Sequence, residues 1–134
     1  MAQHQPEHGV GIVAGFSGFA VSDLEAARTF YAETLGLEVT VEDMGMLRIA
    51  LPGGATVIVY PKPDFVPATY TILNFAVSNL DATVDELTER GVDFLRYDGF
   101  EQNEKGIAAG GGQGPDIAWF TDPSGNILSV LTTP

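Results

Sequence analysis

The chain has 134 residues, 45% of them hydrophobic, which suffices for one compact domain or for two small halves that share one core. Six basic against eighteen acidic residues give a formal net charge of -12, which argues against nucleic acid and anionic membranes as partners. No apolar run reaches the roughly 18 residues of a membrane span, and a chain without cysteine has neither disulfides nor thiolate metal sites. Since no targeting segment is visible, we expect a cytoplasmic protein.

The first twelve residues are predicted to form a flexible tail. They include His4 and His8, the two histidines of the chain. Their spacing fits one helical turn, but no apolar periodicity surrounds them, which favours a disordered tail over a metal site. The folded domain is then expected to span residues 13–134.

A strand followed by a helix is predicted where the chain reads "FAVSDLEA" (19–26). Ser22 followed by Glu25 has the spacing of a capping box, so we expect Ser22 to cap the helix. Apolar residues then recur at helical spacing up to Leu35, and Gly36 ends the helix. Three strands follow, "LGLEV", "MLRIAL" and "ATVIVY", the last two joined by a turn.

The same order of elements is predicted a second time. "FAVSNLDA" (75–82) repeats the first octet 56 residues later, with Ser78 as a weaker cap and Gly91 as the helix stop. "DPSGNILSV" repeats "LPGGATVIV" 71 residues later, as the turn between strands "DIAWF" and "NILSVL". With "RGVDF" as the remaining strand, each half reads strand-helix-strand-strand-strand. One such unit would leave a sheet face uncovered, so the two halves must pack together.

The two offsets differ because a loop, "DGFEQNEKGIAAGGGQGP" (98–115), is inserted in the second half. Its many glycines and the absence of a GxxxxGK pattern predict a flexible loop and not a phosphate site. Long loops in compact domains often serve as lids, which would place Glu101, Glu104 and Lys105 at the mouth of a pocket.

The duplication, with "FAVSDLEAARTFYAETLGL" and "FTDPSGNILSVL", resembles the vicinal oxygen chelate superfamily over residues 13–132. This superfamily includes glyoxalase I, bleomycin resistance proteins, extradiol dioxygenases and methylmalonyl-CoA epimerase. The resemblance implies an α+β fold in which two βαβββ modules, about 13–62 and 69–132, form an open, mostly antiparallel barrel around a central cavity. Because many members dimerise, it also implies a homodimer.

The resemblance further implies four cavity positions that carry His or Glu in the metal-dependent members. In this chain they correspond to Phe16, Ile58, Ile72 and Ser129. Zinc, iron and nickel need imidazole, thiolate or carboxylate ligands, which these residues do not supply. We therefore expect no metal and no cofactor. A Mg²⁺ or Ca²⁺ site with oxygen ligands alone stays an alternative, for which the sequence shows no matching set of ligand residues.

Strand alternation from these positions predicts further side chains on the cavity wall. Few of them are polar, as is usual for a small-molecule pocket. Ordinary structural roles stay open for Trp119 as barrel core, Arg48 as an exposed strand residue and Tyr60 as a cover of the barrel rim. Phe19 and Phe75 should face the helices. The ligand-binding candidates are Phe16, Arg48, Ile58, Tyr60, Ile72, Asn74, Trp119 and Ser129.

Three functions are compatible with this pattern. The first is a metal-independent protein that binds a small molecule, sequestering a drug or metabolite as the bleomycin resistance proteins do; the acidic charge would suit a cationic ligand. The second is a lyase, isomerase, glyoxalase-like or dioxygenase-like enzyme acting on a small oxygenated substrate. Its catalytic residues are unknown, and its general base would be a carboxylate, Tyr60 or Lys105. The third is a module that only dimerises or regulates a partner, with a filled barrel.

Overall fold

The structure, a computed structural model, describes residues 9–133. The predicted tail of residues 1–12, with His4 and His8, lies mostly outside this range. Within it, no helix is long and apolar enough to cross a membrane. In chain order the elements are β1 (Ser17–Val21), α1 (Leu24–Thr29), a π-helical turn (Phe30–Thr34), β2 (Glu38–Glu42), β3 (Met46–Ala50), β4 (Thr56–Pro61), β5 (Thr71–Val77), α2 (Leu80–Glu89), β6 (Ile117–Thr121) and β7 (Ile127–Thr132).

The strands form two separate sheets, one from each half of the chain. Sheet A has the order β1-β4-β3-β2 and sheet B the order β5-β7-β6, with β1 parallel to β4 and β5 parallel to β7. The sequence repeat is therefore also a repeat of topology, in which β5, β7 and β6 correspond to β1, β4 and β3. This confirms the α+β fold of two open modules; no strand ladder closes them into a barrel within the described residues.

The helix caps lie one residue later than predicted. Asp23 and Asn79 have extended backbones, and the side chain of each accepts a hydrogen bond from the amide three residues on, at 3.1 and 3.0 Å. An N-cap requires this combination of backbone and side chain. Ser22 instead lies at the end of the strand, where its amide donates to Ser124 Oγ at 2.9 Å.

The first helix changes character where a regular helix up to Leu35 was expected. After α1 the chain widens into a π-helical turn, in which the amide of Leu35 donates to the carbonyl of Phe30 at 2.9 Å. This turn carries the fully buried ring of Tyr31. The predicted stop is confirmed, since Gly36 has a positive φ of 70° that glycine tolerates best.

The prediction of a strand at "RGVDF" is wrong, because this segment makes only a single bridge, between Phe94 and Phe120 on β6. The next residue, Leu95, donates its amide to the Trp119 carbonyl at 2.8 Å. Further along the same edge, Ala108 of the inserted loop pairs with Ile117. The outer edge of β6 is thus paired with this segment at Phe120 and with the inserted loop at Ile117, and neither forms a regular fourth strand.

A single hydrophobic core joins the two halves, with residues from both helices and both sheets. Val57 and Val59 of β4 point into it, as does Leu128 of β7. Phe19 and Phe75 pack against it, as predicted for the two repeated phenylalanines. Because side chains alternate along a strand, the intervening residues lie on the opposite side of each sheet, here called the outer face.

A buried polar cluster around Asp122 also joins the two halves. Asp122 Oδ2 accepts hydrogen bonds from the Tyr31 hydroxyl at 2.8 Å and from Asn126 Nδ2 at 3.1 Å. Its Oδ1 accepts from the amides of Ser124 and Asn126 at 3.0 and 2.9 Å. Asn126 Nδ2 also donates to the carbonyl of Ala20 at the end of β1. Burial and the adjacent Asp122 raise the pKa of the Tyr31 phenol far above its usual value of about 10. The hydroxyl therefore keeps its proton and donates it to Asp122 in a hydrogen bond.

The inserted loop has no helix or strand, as predicted, but it is tied to the domain at several points. The Gln102 side chain accepts from the amide of Tyr97 at 2.8 Å and donates to the carbonyls of Leu95 and Gly106 at 2.9 and 2.8 Å. Lys105 Nζ lies 2.9 Å from a carboxylate oxygen of both Asp81 and Asp85 on α2 (80–89). The loop therefore sits against sheet B and α2, and we expect less freedom than its glycines suggested.

Candidate functional site

The repeat places five of the eight candidates in two equivalent rows, one on the outer face of each sheet. Three residues lie side by side across β1, β4 and β3, and their counterparts do so across β5, β7 and β6. Their neighbours along the strands point into the core, so these rows face away from it. The rows are Gly18–Ile58–Arg48 in sheet A and Asn74–Ser129–Trp119 in sheet B.

The row of sheet B contains a short polar contact. Ser129 Oγ donates to Asn74 Oδ1 at 2.5 Å, and Ser129 is fully buried while Asn74 is exposed. The side-chain oxygen of Asn74 therefore already accepts a hydrogen bond within the protein. Its amide nitrogen stays available to an approaching acceptor, since no partner for it is found within residues 9–133.

The row of sheet A offers less for recognition. Arg48 is exposed, and its Nε donates to Glu42 Oε1 at 3.0 Å, which favours the exposed alternative for this residue. Ile58 is half-buried. Tyr60, at 39% exposure, lies near Gly18 on the neighbouring strand, where an added Cβ would come within 3.9 Å of its ring.

Two candidates do not occupy the regular strand positions that alternation predicted. Phe16 precedes β1 and is 73% exposed. Ile72 lies at a β-bulge between Thr71 and Leu73, and it packs against the core instead of sharing a face with Asn74. A bulge inserts one residue and reverses the alternation, and nothing in the sequence announced it.

The four positions that the resemblance implied for metal ligands do not fit a transition metal. Phe16, Ile58 and Ile72 offer only hydrocarbon, and the hydroxyl of Ser129 is bonded to Asn74. Within the described part of the chain, no three His, Asp or Glu side chains come together in a way that could hold an ion. Metal chemistry at these positions therefore has no donor set.

The candidates that line a cavity are distributed over three cavities. Tyr60 and Ile72 line a cavity of about 470 Å³ beside β1, and Asn74 lines one of about 420 Å³ beside β5. Trp119 lines a third, of about 190 Å³, on sheet B. The other candidates, Phe16, Arg48, Ile58 and Ser129, line none of the cavities described here for residues 9–133.

The cavity at Trp119 contains aromatic residues that the sequence reasoning missed. Phe100 comes from the inserted loop and Tyr97 directly precedes that loop, with ring centroids 5.3 and 5.2 Å from that of Trp119. Tyr70 lines the same cavity from the segment before β5. Loop residues follow no strand or helix period, so only the aromatic content of "RYDGF" could have indicated them.

Lys105, considered as a general base, is poorly suited to that role. Its hydrogen bonds with Asp81 and Asp85 raise the pKa of its ammonium group, which keeps it protonated at neutral pH. A base must be unprotonated to accept a proton.

Comparisons with known proteins agree with this fold. The family model of the glyoxalase/bleomycin resistance protein/dioxygenase superfamily matches residues 12–130. A member of that superfamily from Sphaerobacter thermophilus DSM 20745 is 25% identical, with a TM-score of 0.66 over 90% of this chain and 98% of that one. TnmS3, an antibiotic binding protein from Streptomyces sp. CB03234, is 25% identical, with a TM-score of 0.64 over 91% and 98%.

The oxidase ChaP-H2 has the same fold, at 24% identity and a TM-score of 0.62 over 92% of this chain and 96% of that one. No curated protein sequence gives a significant match. The family model covers nearly the whole domain, including both repeated octets. The chain therefore belongs to the glyoxalase/bleomycin resistance protein/dioxygenase superfamily.

Proposed function

We propose that the protein binds a small organic molecule on the outer face of sheet B without the help of a protein-bound metal. The observation that carries this proposal is the row Asn74–Ser129–Trp119, which ends at an aromatic cavity. Apolar walls with a few fixed polar groups are the usual make-up of a ligand site. Trp119 supplies the wall of this cavity, and Asn74, which lies outside the cavity at the other end of the row, offers a ligand on the outer face an amide held in place by Ser129.

The donor set and one relative support binding over metal-dependent catalysis. The four family metal positions carry no metal-binding side chain apart from the hydroxyl of Ser129. The match with TnmS3, an antibiotic binding protein, extends over 98% of the length of TnmS3. Sequestration of a drug or metabolite is the function that needs no further catalytic group.

We also propose that the protein forms a homodimer. The segment before β1 exposes four large apolar side chains, each between 73% and 86% accessible. Exposed apolar segments of this kind are typical of interfaces between chains. They are Val10, Ile12, Val13 and Phe16.

Native mass spectrometry of the protein purified from its own host tests both points. We expect a dimer that retains a small organic molecule. The variant Trp119→Ala should lose that molecule because the ring that forms the wall is gone, while Trp119→Phe should keep part of it. A monomer without any retained molecule, or full retention by Trp119→Ala, would contradict the proposal.

A further inference from the structure

We propose that the aromatic pocket, defined as Tyr70, Tyr97, Phe100 and Trp119, binds a compact organic cation such as a trimethylammonium group or an N-methylated ring. This inference rests on the proposed function and names the ligand class for the same face of sheet B.

The rings are close enough to act on one bound group. The centroid of Trp119 lies 5.2 Å from that of Tyr97 and 5.3 Å from that of Phe100, and Tyr97 and Phe100 are 6.2 Å apart. A cation within about 6 Å of an aromatic centroid is attracted by the negative face of the ring. These three rings touch one another and form one aromatic surface, and Tyr70 lines the same cavity, so a group seated on that surface can contact more than one ring.

These rings are not part of the core. Phe100 is 56% exposed and Tyr70 is 69% exposed, whereas Phe120, only one residue after Trp119, is completely buried. Three of the four rings, those of Tyr70, Tyr97 and Phe100, come from segments between the strands, and they line a void instead of filling it. The pocket thus has aromatic walls that remain open to a ligand.

The charges around the pocket favour a cation over an anion. None of the residues that line it is charged. Asp98 and Glu101, which flank Phe100 in sequence, are exposed and form no ion pair within the described residues. Arg96, the cation next to Tyr97, donates instead to main-chain carbonyls of the loop.

The remaining basic side chains are also engaged elsewhere. Each forms an ion pair with a carboxylate outside the pocket: Arg28 with Glu25, Arg48 with Glu42, Lys62 with Asp64, Arg90 with Glu86, and Lys105 with Asp81 and Asp85. No basic residue therefore lines the pocket to repel a cation, and the net charge of -12 attracts one.

The volume of the pocket sets the size of the ligand. The pocket has a volume of about 190 Å³. Pockets for drug-sized ligands usually have a volume of at least about 300 Å³. The pocket therefore fits a compact cation, or the cationic end of a larger molecule that extends over the outer face.

A matched pair of probes tests this inference. Choline and its uncharged carbon isostere 3,3-dimethylbutan-1-ol have nearly the same shape, and Trp119, the one tryptophan of the chain, reports binding by its fluorescence. We expect saturable binding of choline to the full-length protein and at least roughly tenfold weaker binding of the isostere. The variant Phe100→Ala should weaken choline binding several-fold, Phe100→Tyr should restore it, and added salt should weaken it.

Equal affinity for the two probes would overturn the cation preference while leaving a neutral ligand at the same site. If choline does not bind, the inference is also wrong, and retention of a different molecule in native mass spectrometry would then leave the proposed function standing. Circular dichroism of each variant shows that a loss of binding does not reflect a loss of folding.

Discussion

Replacing Asp122 by alanine is expected to lower the free energy of unfolding by roughly 3 kcal/mol. The carboxylate accepts four hydrogen bonds in a buried site, and one of these comes from Tyr31 in the other half of the chain. Its removal leaves buried donors without an acceptor, at a cost of roughly 1–3 kcal/mol for each one that water cannot reach. Urea unfolding followed by circular dichroism measures the change.

The matched control is Asp93→Ala, because Asp93 is an exposed aspartate. It should change the urea midpoint very little, as is usual for surface substitutions. Tyr31→Phe should give an intermediate loss, since it removes one of the four donors and leaves the carboxylate in place. An Asp122→Ala protein as stable as its Asp93→Ala counterpart would show that the polar cluster does not hold the two halves together.

Phe120→Ala is expected to cost about 3–5 kcal/mol of stability. The Phe120 ring is completely buried and lies 5.6 Å from Phe94 and 6.4 Å from Phe30, centroid to centroid. Truncation would leave a cavity at the centre of the core, between rings that come from both halves. Thermal and urea unfolding should both show the loss.

The control for this substitution is Phe100→Ala, which removes the same side chain from the aromatic pocket. Because the ring of Phe100 is more than half exposed, its loss should cost less than about 1 kcal/mol. If Phe100→Ala proved as destabilising as Phe120→Ala, the pocket would be an extension of the core and not a binding site.

Most of the fold could be predicted because the sequence contains the same module twice. The octets at 19–26 and 75–82 and the turns at 51–54 and 122–125 mark the same points of the two modules. The register confirms this correspondence, since Arg48 and Trp119 occupy equivalent places beside Ile58 and Ser129. Repetition is strong evidence because it is independent of local propensity.

The errors arose where tertiary contacts override local patterns. Ile72 left its expected face because of a bulge, and the segment after α2 (80–89) makes only a single bridge to β6, whose other end pairs with Ala108 of the inserted loop. Tyr97 and Phe100 reach Trp119 only because the loop folds back on sheet B. The residues that make these contacts follow no hydrophobic period or spacing in the sequence from which the contacts could have been predicted.

The positions of Phe16, Ile58, Ile72 and Ser129 are expected to hold no transition metal. Elemental analysis after incubation with Mn²⁺, Fe²⁺, Ni²⁺ or Zn²⁺ and desalting tests it, on the full chain and on a His4→Gln/His8→Gln variant that removes both histidines. We predict far less than one ion per chain in the variant, because the four positions offer no imidazole, thiolate or carboxylate. One tightly held ion per chain in that variant would contradict the expected absence of a transition-metal site in the folded domain.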